Sequence, residues 1–110
     1  MVAPSRWDIV WLDFNPAKGR EQAGRRPALV LTSQAHNKIT GLALVCPITS
    51  KIKGYPYEVE LPATKKMERG AVLANQMRTV SWKERGAKRI EAAPPQIQAK
   101  VLEIIKTLIN

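Results

Sequence analysis

The sequence predicts a mostly β protein with helices, a small antiparallel β-barrel that ends in one helix. Three observations lead there. Short apolar runs, rich in β-branched and aromatic residues, are split by Gly, Pro and polar turns. At least one segment, Tyr57 to Leu61 (YEVEL), alternates with a period of two. From Pro95 onward the period changes, with apolar residues at Ile97, Val101, Ile104, Ile105 and Leu108 falling on one face of a helix.

The elements follow in order. Ile9 to Phe14 (IVWLDF) reads as a strand, and Trp11 shares the face of Ile9. Residues 15–25 hold two Gly and a Pro without periodicity and read as a loop. Ala28 to Thr32 is a continuous apolar run, the mark of a buried central strand. Residues 33–41 form a polar connection with room for one helical turn. Leu42 to Ile48 (LALVCPI) is the next strand, with Pro47 marking its end or a bulge. A basic turn (49–54), the Tyr57–Leu61 strand and a basic loop (62–69) come next. Ala71 to Val80 has helical propensity, but Gly70 before it and the β-branched Val72, Thr79 and Val80 favour a single strand. Lys88 to Ile90 adds a short one. The last helix opens on Pro95, a residue suited to the first helical position. It has no Ser, Thr, Asp or Asn as cap, so that end is expected to fray. Leu102 and Ile109 widen its apolar stripe toward the sheet or a partner chain.

With 110 residues the chain makes one domain, residues 1–110. Its composition, 45% hydrophobic and 25% charged, is that of a soluble globular protein and argues against disorder. No run approaches the ~18 apolar residues of a membrane span, and no signal peptide precedes Arg6, Trp7 and Asp8, so a cytoplasmic protein with no membrane partner is expected. One cysteine, Cys46, forms no internal disulfide. With the single histidine, His36, it gives too few soft ligands for zinc. Cys46 lies in an apolar strand and reads as a small core hydrophobe, and His36 as a surface histidine.

Charge is the strongest compositional signal. Eighteen Lys and Arg stand against nine Asp and Glu, a net charge of +9, and residues 61–110 carry +6 of it. Such an excess draws polyanions, nucleic acid foremost, although solubility alone would also account for it.

Three polar clusters could carry chemistry. The first runs from Lys18 to Pro27 (KGREQAGRRP). Its glycines let the backbone turn sharply, and the guanidinium forks of Arg20, Arg25 and Arg26 suit phosphate oxygens. Glu21 could accept a proton or hold an arginine, and Gln22 could hydrogen-bond. A solvated loop with an Arg–Glu pair fits the same residues. The second is Thr49, Ser50 and Lys51 with Lys53, at the end of an apolar run, where hydroxyls either donate to phosphate or cap a turn. The third is Asn75, Gln76 and Arg78; amides within an apolar run suit base edges, or else bond to the backbone. Six aromatic residues in all argue against a stacking platform.

Taken in order, these clusters resemble a known family. Residues 7–16 (WDIVWLDFNP), residues 19–31 (GREQAGRRPALVL), residues 46–50 (CPITS), residues 53–59 (KGYPYEV) and residues 70–78 (GAVLANQMR) are similar to successive blocks of the MazF (PemK-like) toxin endoribonucleases. The resemblance runs from Trp7 to the helix at Ile109. It implies an SH3-like barrel that forms a homodimer and cuts single-stranded RNA at specific sequences, without metal or other cofactor. It also implies a cognate antitoxin whose acidic, flexible tail covers the RNA groove. By family pattern Arg26 matches the catalytic arginine and Thr49 the catalytic threonine, and Glu21 and Gln22 match the acid and amide beside that arginine. The RNA-binding set is then Lys18, Arg20, Gln22, Arg25, Ser50, Lys51, Lys53, Asn75, Gln76 and Arg78. Three positions depart from the pattern: Trp7 where many members have Gly, Asn15 where Asp is frequent, and Arg20 where a small hydroxyl residue is common.

The chemistry suits these residues. RNA brings its own nucleophile, the 2′-OH, so the protein has only to align it, move protons and stabilise charge on phosphate. Arg26 can supply a fixed cation and Thr49 a hydrogen bond. Arginine is a poor base, which leaves Glu21 as base or as a positioner of Arg26. Two other functions fit a basic barrel: a gyrase-poisoning toxin of similar fold, against which the Arg-Pro and Pro-Ile-Thr motifs speak, and a non-catalytic RNA-binding barrel.

Overall fold

The computed structural model describes residues 2–15 and 24–109. Among these residues seven antiparallel strands and two helices follow in chain order: β1 (Asp8–Asp13), β2 (Arg25–Val30), α1 (Gln34–Thr40), β3 (Leu42–Thr49), β4 (Glu58–Leu61), β5 (Gly70–Leu73), β6 (Arg78–Ser81), β7 (Lys88–Ala92) and α2 (Pro95–Ile109). The strands lie in the order β4-β5-β3-β2-β1-β7, with β6 also bonded to β3. The sheet curls into a half-barrel that carries the C-terminal helix, as the sequence led us to expect.

Both faces of this sheet are covered, which is why its central strands read as unbroken apolar runs. One face packs Ile9, Leu29, Cys46, Ile48, Val59, Leu61, Val72 and Ile90 against Ile97 and Val101 of α2. The other packs Val10, Leu12, Phe14, Ala28, Val30, Val45 and Val80 with Trp82. Each fully buried aliphatic side chain is worth about 1.5–3 kcal/mol over leaving it in water. Helix α2 leaves β7 and packs against β4. Thr64, after β4, donates to Glu91 of β7 at 2.6 Å. Helix and loop thus bridge the two outer strands of the half-barrel. Trp11 shares the Ile9 side but is 37% exposed.

Two prolines decide where the sheet is bonded and where it parts. The Leu31 N–H donates to the Leu44 carbonyl at 2.8 Å. Backbone groups alternate in direction along a strand. In the observed register, Ala28 opposite Pro47 and Leu29 opposite Cys46, Pro27 therefore faces β3 while Pro47 faces away from β2. Pro27 has no N–H to give, and the β2–β3 ladder ends at the Ala28–Pro47 pair. Pro47 turns its missing donor to the opposite edge. There β6 has stopped at Val45–Arg78 and β5 has yet to begin at Ile48–Val72. Pro47 thus lies inside β3, at the gap between two ladders, where proline costs no hydrogen bond.

Several expectations are corrected. The expected strand Ala71–Val80 is two strands, β5 and β6, separated by a turn that the Gln76 N–H closes on the Leu73 carbonyl at 3.0 Å. The second strand begins earlier and ends earlier than expected, because Arg25 and Arg26 pair with Asp13 and Leu12 of β1. Thr49 is the last residue of β3 rather than part of a turn. The connection at 33–41 holds helix α1, capped by the Ser33 side chain and ended by Gly41 in the left-handed conformation. At the start of α2 Pro95 has no N–H to satisfy, and the Pro94 carbonyl accepts from the Ile97 and Gln98 N–H groups at 3.0 and 3.2 Å.

Trp7 has a φ of 72°. That conformation costs most residues about 1–2 kcal/mol and glycine almost nothing. The Trp7 N–H donates to the Val30 carbonyl at 2.7 Å, and its own carbonyl accepts from Ala93 at 2.8 Å. The two bonds, with packing of the indole on the core, offset the strain.

Two outcomes are expected. A Cβ on Gly70 would lie 2.7 Å from the Thr49 carbonyl oxygen and 3.1 Å from Ile48. Gly70→Ala should cost about 1–3 kcal/mol in denaturant unfolding, because backbone has to move. Burial pushes the Cys46 thiol up to about 12. The folded chain keeps this proton where the unfolded chain, near its ordinary value of about 8.5, has lost it. The stability from this is complete below that value and falls as pH rises toward about 12, by at most ~1.4 kcal/mol per pH unit. Urea unfolding of Cys46→Ala should lack this part of the alkaline slope.

Candidate nucleic-acid groove

Where β2 and β3 part, a groove opens. Extending their register two residues past the last pair, Ala28–Pro47, puts Arg26 across from Thr49, on the same face. Both line a groove of about 980 Å³, together with Ser50, Lys51, Lys53, Tyr55, Tyr57, Glu58, Leu73, Asn75 and Gln76.

Arg26 is half-buried on β2. Burial lowers its pKa from the ordinary arginine value, but a guanidinium starts so high that it stays charged at neutral pH. Thr49 is 6% exposed. Its Oγ1 accepts from the Lys51 N–H at 3.1 Å, an arrangement that turns the chain after β3 and leaves the hydroxyl proton to be donated. Lys51 and Lys53 follow on the exposed rim.

The segment after β3 is fixed by Glu58. Its Oε1 accepts from the backbone N–H groups of Lys53 and Gly54, at 3.0 and 2.8 Å. Gly54 has a φ of 78°, which its missing Cβ permits. The turn between β5 and β6 supplies a further part of the groove's lining. The Ala74 N–H donates to the Tyr57 carbonyl at 3.2 Å, and Asn75 and Gln76 then face the groove.

The structure thus brings together seven residues singled out in the sequence: Arg26, Thr49, Ser50, Lys51, Lys53, Asn75 and Gln76. It sets two apart. Arg25 alternates away from Arg26 and donates to the Gly86 carbonyl at 2.9 Å. Arg78 lies on β6 with its guanidinium 5.6 Å from the centre of the Phe14 ring, and its buried NH1 has no hydrogen-bond partner among the described residues. Lys18, Arg20, Glu21 and Gln22 lie outside the described residues. On either side of them, the Phe14 N–H donates to the Gly24 carbonyl at 2.9 Å, and the Gly24 N–H to Asn15 Oδ1 at 3.0 Å.

Sequence reasoning missed Tyr55, Tyr57, Glu58 and Leu73. A Tyr-Pro-Tyr-Glu string after Lys-Gly was the signal available for three of them. The rings of Tyr55 and Tyr57 stack, centroids 5.3 Å apart and planes 21° off parallel. Among the described residues no three His, Cys, Asp or Glu gather as a metal site, and no helix is long and apolar enough to cross a membrane. His36 is exposed on α1, with Nδ1 3.0 Å from Asn37 Oδ1.

The chain is similar to known proteins over nearly its whole length. The family described as "PemK-like, MazF-like toxin of type II toxin-antitoxin system" matches residues 5–109. The endoribonuclease toxin MazF of Escherichia coli K12 is 43% identical over 108 residues, 97% of this chain and 91% of that protein. The crystal structure of MazF from Deinococcus radiodurans superposes with a TM-score of 0.91 at 45% identity, covering 97% of this chain and 96% of that one. A MazE–MazF complex from the same organism superposes with a TM-score of 0.86 at 45% identity, over the same shares of the two chains. By sequence and by structure, the chain belongs to the PemK/MazF-like toxin family of type II toxin–antitoxin systems.

Proposed function

We propose that this protein is the toxin of a type II toxin–antitoxin system, an endoribonuclease that cuts single-stranded mRNA at a specific sequence without a metal ion. One observation carries the reading: the half-buried Arg26 and the hydroxyl of Thr49 share one face of a basic groove at the place where β2 and β3 part. Relatives 33–43% identical over nearly the whole chain, named as endoribonucleases, support it.

In this reading the ribose 2′-OH attacks the adjacent phosphorus. The O2′–P bond forms and the P–O5′ bond breaks, giving a 2′,3′-cyclic phosphate and a 5′-OH. The proton lost by O2′ passes to a base, and O5′ gains one. Negative charge grows on the non-bridging oxygens, and there a fixed cation and a hydroxyl donor act with most effect. Arg26 supplies the cation and Thr49 the donor. Glu21 is the group we assign as base or as positioner of Arg26. Lys51, Lys53 and Ser50 hold backbone phosphates, Asn75 and Gln76 reach base edges, and Lys18, Arg20 and Gln22 complete the RNA-binding set, from which Arg25 and Arg78, turned to Gly86 and Phe14, are left out. The active form is a homodimer. Its partner is an antitoxin whose acidic tail competes for the same cations.

The deciding experiment is incubation with a long RNA in EDTA. The wild-type chain should give discrete fragments with cyclic-phosphate and 5′-OH ends. Arg26→Ala and Thr49→Val should each slow cleavage by about 10²–10³ while circular dichroism and oligomeric state stay unchanged. RNA left intact by the wild-type protein would overturn the assignment. Glu21→Gln with an unaltered pH–rate profile would remove Glu21 from the mechanism. Lys53→Ala should weaken RNA binding for every sequence alike and lower the salt slope of log K by about one.

A further inference from the structure

We propose that Tyr55 is a stacking seat for one unpaired base of the RNA, placed in the same groove as Arg26 and Thr49. This inference rests on the ribonuclease reading and extends it to a specificity-determining side chain.

The seat is built before any ligand arrives. Tyr55, Pro56, Tyr57 and Glu58 form a turn closed by the Glu58 N–H on the Tyr55 carbonyl at 3.0 Å. Pro56 holds the second turn position, where its fixed φ is already suited. Glu58 then clamps the approach from Lys53 and Gly54 through two backbone N–H groups. Held in this way, the half-buried Tyr57 ring backs the Tyr55 ring at 5.3 Å. Tyr55 remains 48% exposed on the groove. An aromatic ring that is rigid, backed by a second ring and half open to solvent has little rotamer entropy left to lose when a flat partner lands on it.

The surroundings select the partner. Arg26, Lys51 and Lys53 line the same groove, and the Glu58 carboxylate is already engaged by backbone donors. The site therefore offers cations for an anionic backbone beside a π-face for a planar group. A single strand of nucleic acid presents that pair at every nucleotide. The base is extruded because the cations hold its phosphates while the ring takes its face.

The test uses full-length protein. The cleavage site is first mapped on long RNA, and a short oligonucleotide of that sequence is made with 2′-deoxyribose at the cut, so that it binds without reacting. Tyr55→Ala should bind it about tenfold more weakly than wild type, and Tyr55→Phe within about twofold, since the ring and not the hydroxyl does the stacking. Removing the base from one nucleotide beside the cut should weaken wild type by a similar factor and leave Tyr55→Ala unaffected. Equal binding of wild type and Tyr55→Ala, or a loss in Tyr55→Phe as large as in Tyr55→Ala, overturns the seat and leaves the ribonuclease reading standing. A loss confined to an acidic, tryptophan-bearing peptide titrated in parallel overturns it as well, and assigns the ring to a protein ligand. Absence of any cleavage or binding of RNA by the wild-type chain overturns both.

Discussion

Two missing backbone donors set the plan of this molecule. A sheet continues for as long as each strand can offer N–H and C=O groups to its neighbour. Pro27 withdraws its donor from β3, and Pro47 withdraws its own from the opposite edge. The first lets β2 and β3 separate beyond Ala28 and Pro47. The second falls where β6 ends and β5 begins. The sheet is therefore tightly bonded through its middle and open at one end. Arg26 and Thr49, each two residues past the last pair, stand on the two sides of that opening. Apolar packing on both faces holds the strands in register, and a one-residue slip would send Arg26 to the wrong side of the sheet.

This placement also sets the electrostatics. A guanidinium fully in water loses much of its field to screening, and one fully buried is costly to charge. Arg26 lies between those limits, desolvated enough for its pKa to fall and never enough to discharge it. Lys51 and Lys53 remain on the wet rim, where salt screens each charge. The net charge of +9 favours approach of a polyanion, and the strand ends fix where Arg26 and Thr49 would meet it.

The strands and the last helix were legible because period and β-branching survive in a sequence read one residue at a time. The resemblance of the Gly19–Pro27 and Pro-Ile-Thr blocks to the family singled out Arg26 and Thr49, and the structure sets both beside the prolines that shape the opening. The division of residues 70–81 was not legible. No Gly or Pro interrupts that run, and the bend at Ala74–Met77 exists because β3 already has Pro47 opposite it, a fact about a distant strand. The Tyr55–Tyr57 pair was missed for a related reason. A low count of aromatic residues argues against a stacking surface on average, yet two rings brought together by one proline turn are enough for a single base. Trp7 shows the reverse case: a departure from the family's glycine becomes intelligible once its φ of 72° is known.

The break between β5 and β6 has a consequence for how such a protein can diverge. Each of these strands has its own ladder to β3, so neither depends on the other for its register. In the short turn between them Ala74 is buried and Met77 packs on the core, while Asn75 and Gln76 belong to neither core cluster. Asn75 and Gln76 can be exchanged with the bonded middle of the sheet left undisturbed. One part of the groove's lining is in this sense interchangeable while the part that bears Arg26 and Thr49 is not. A lineage could thus drift to new target sequences through that turn while keeping the same reaction.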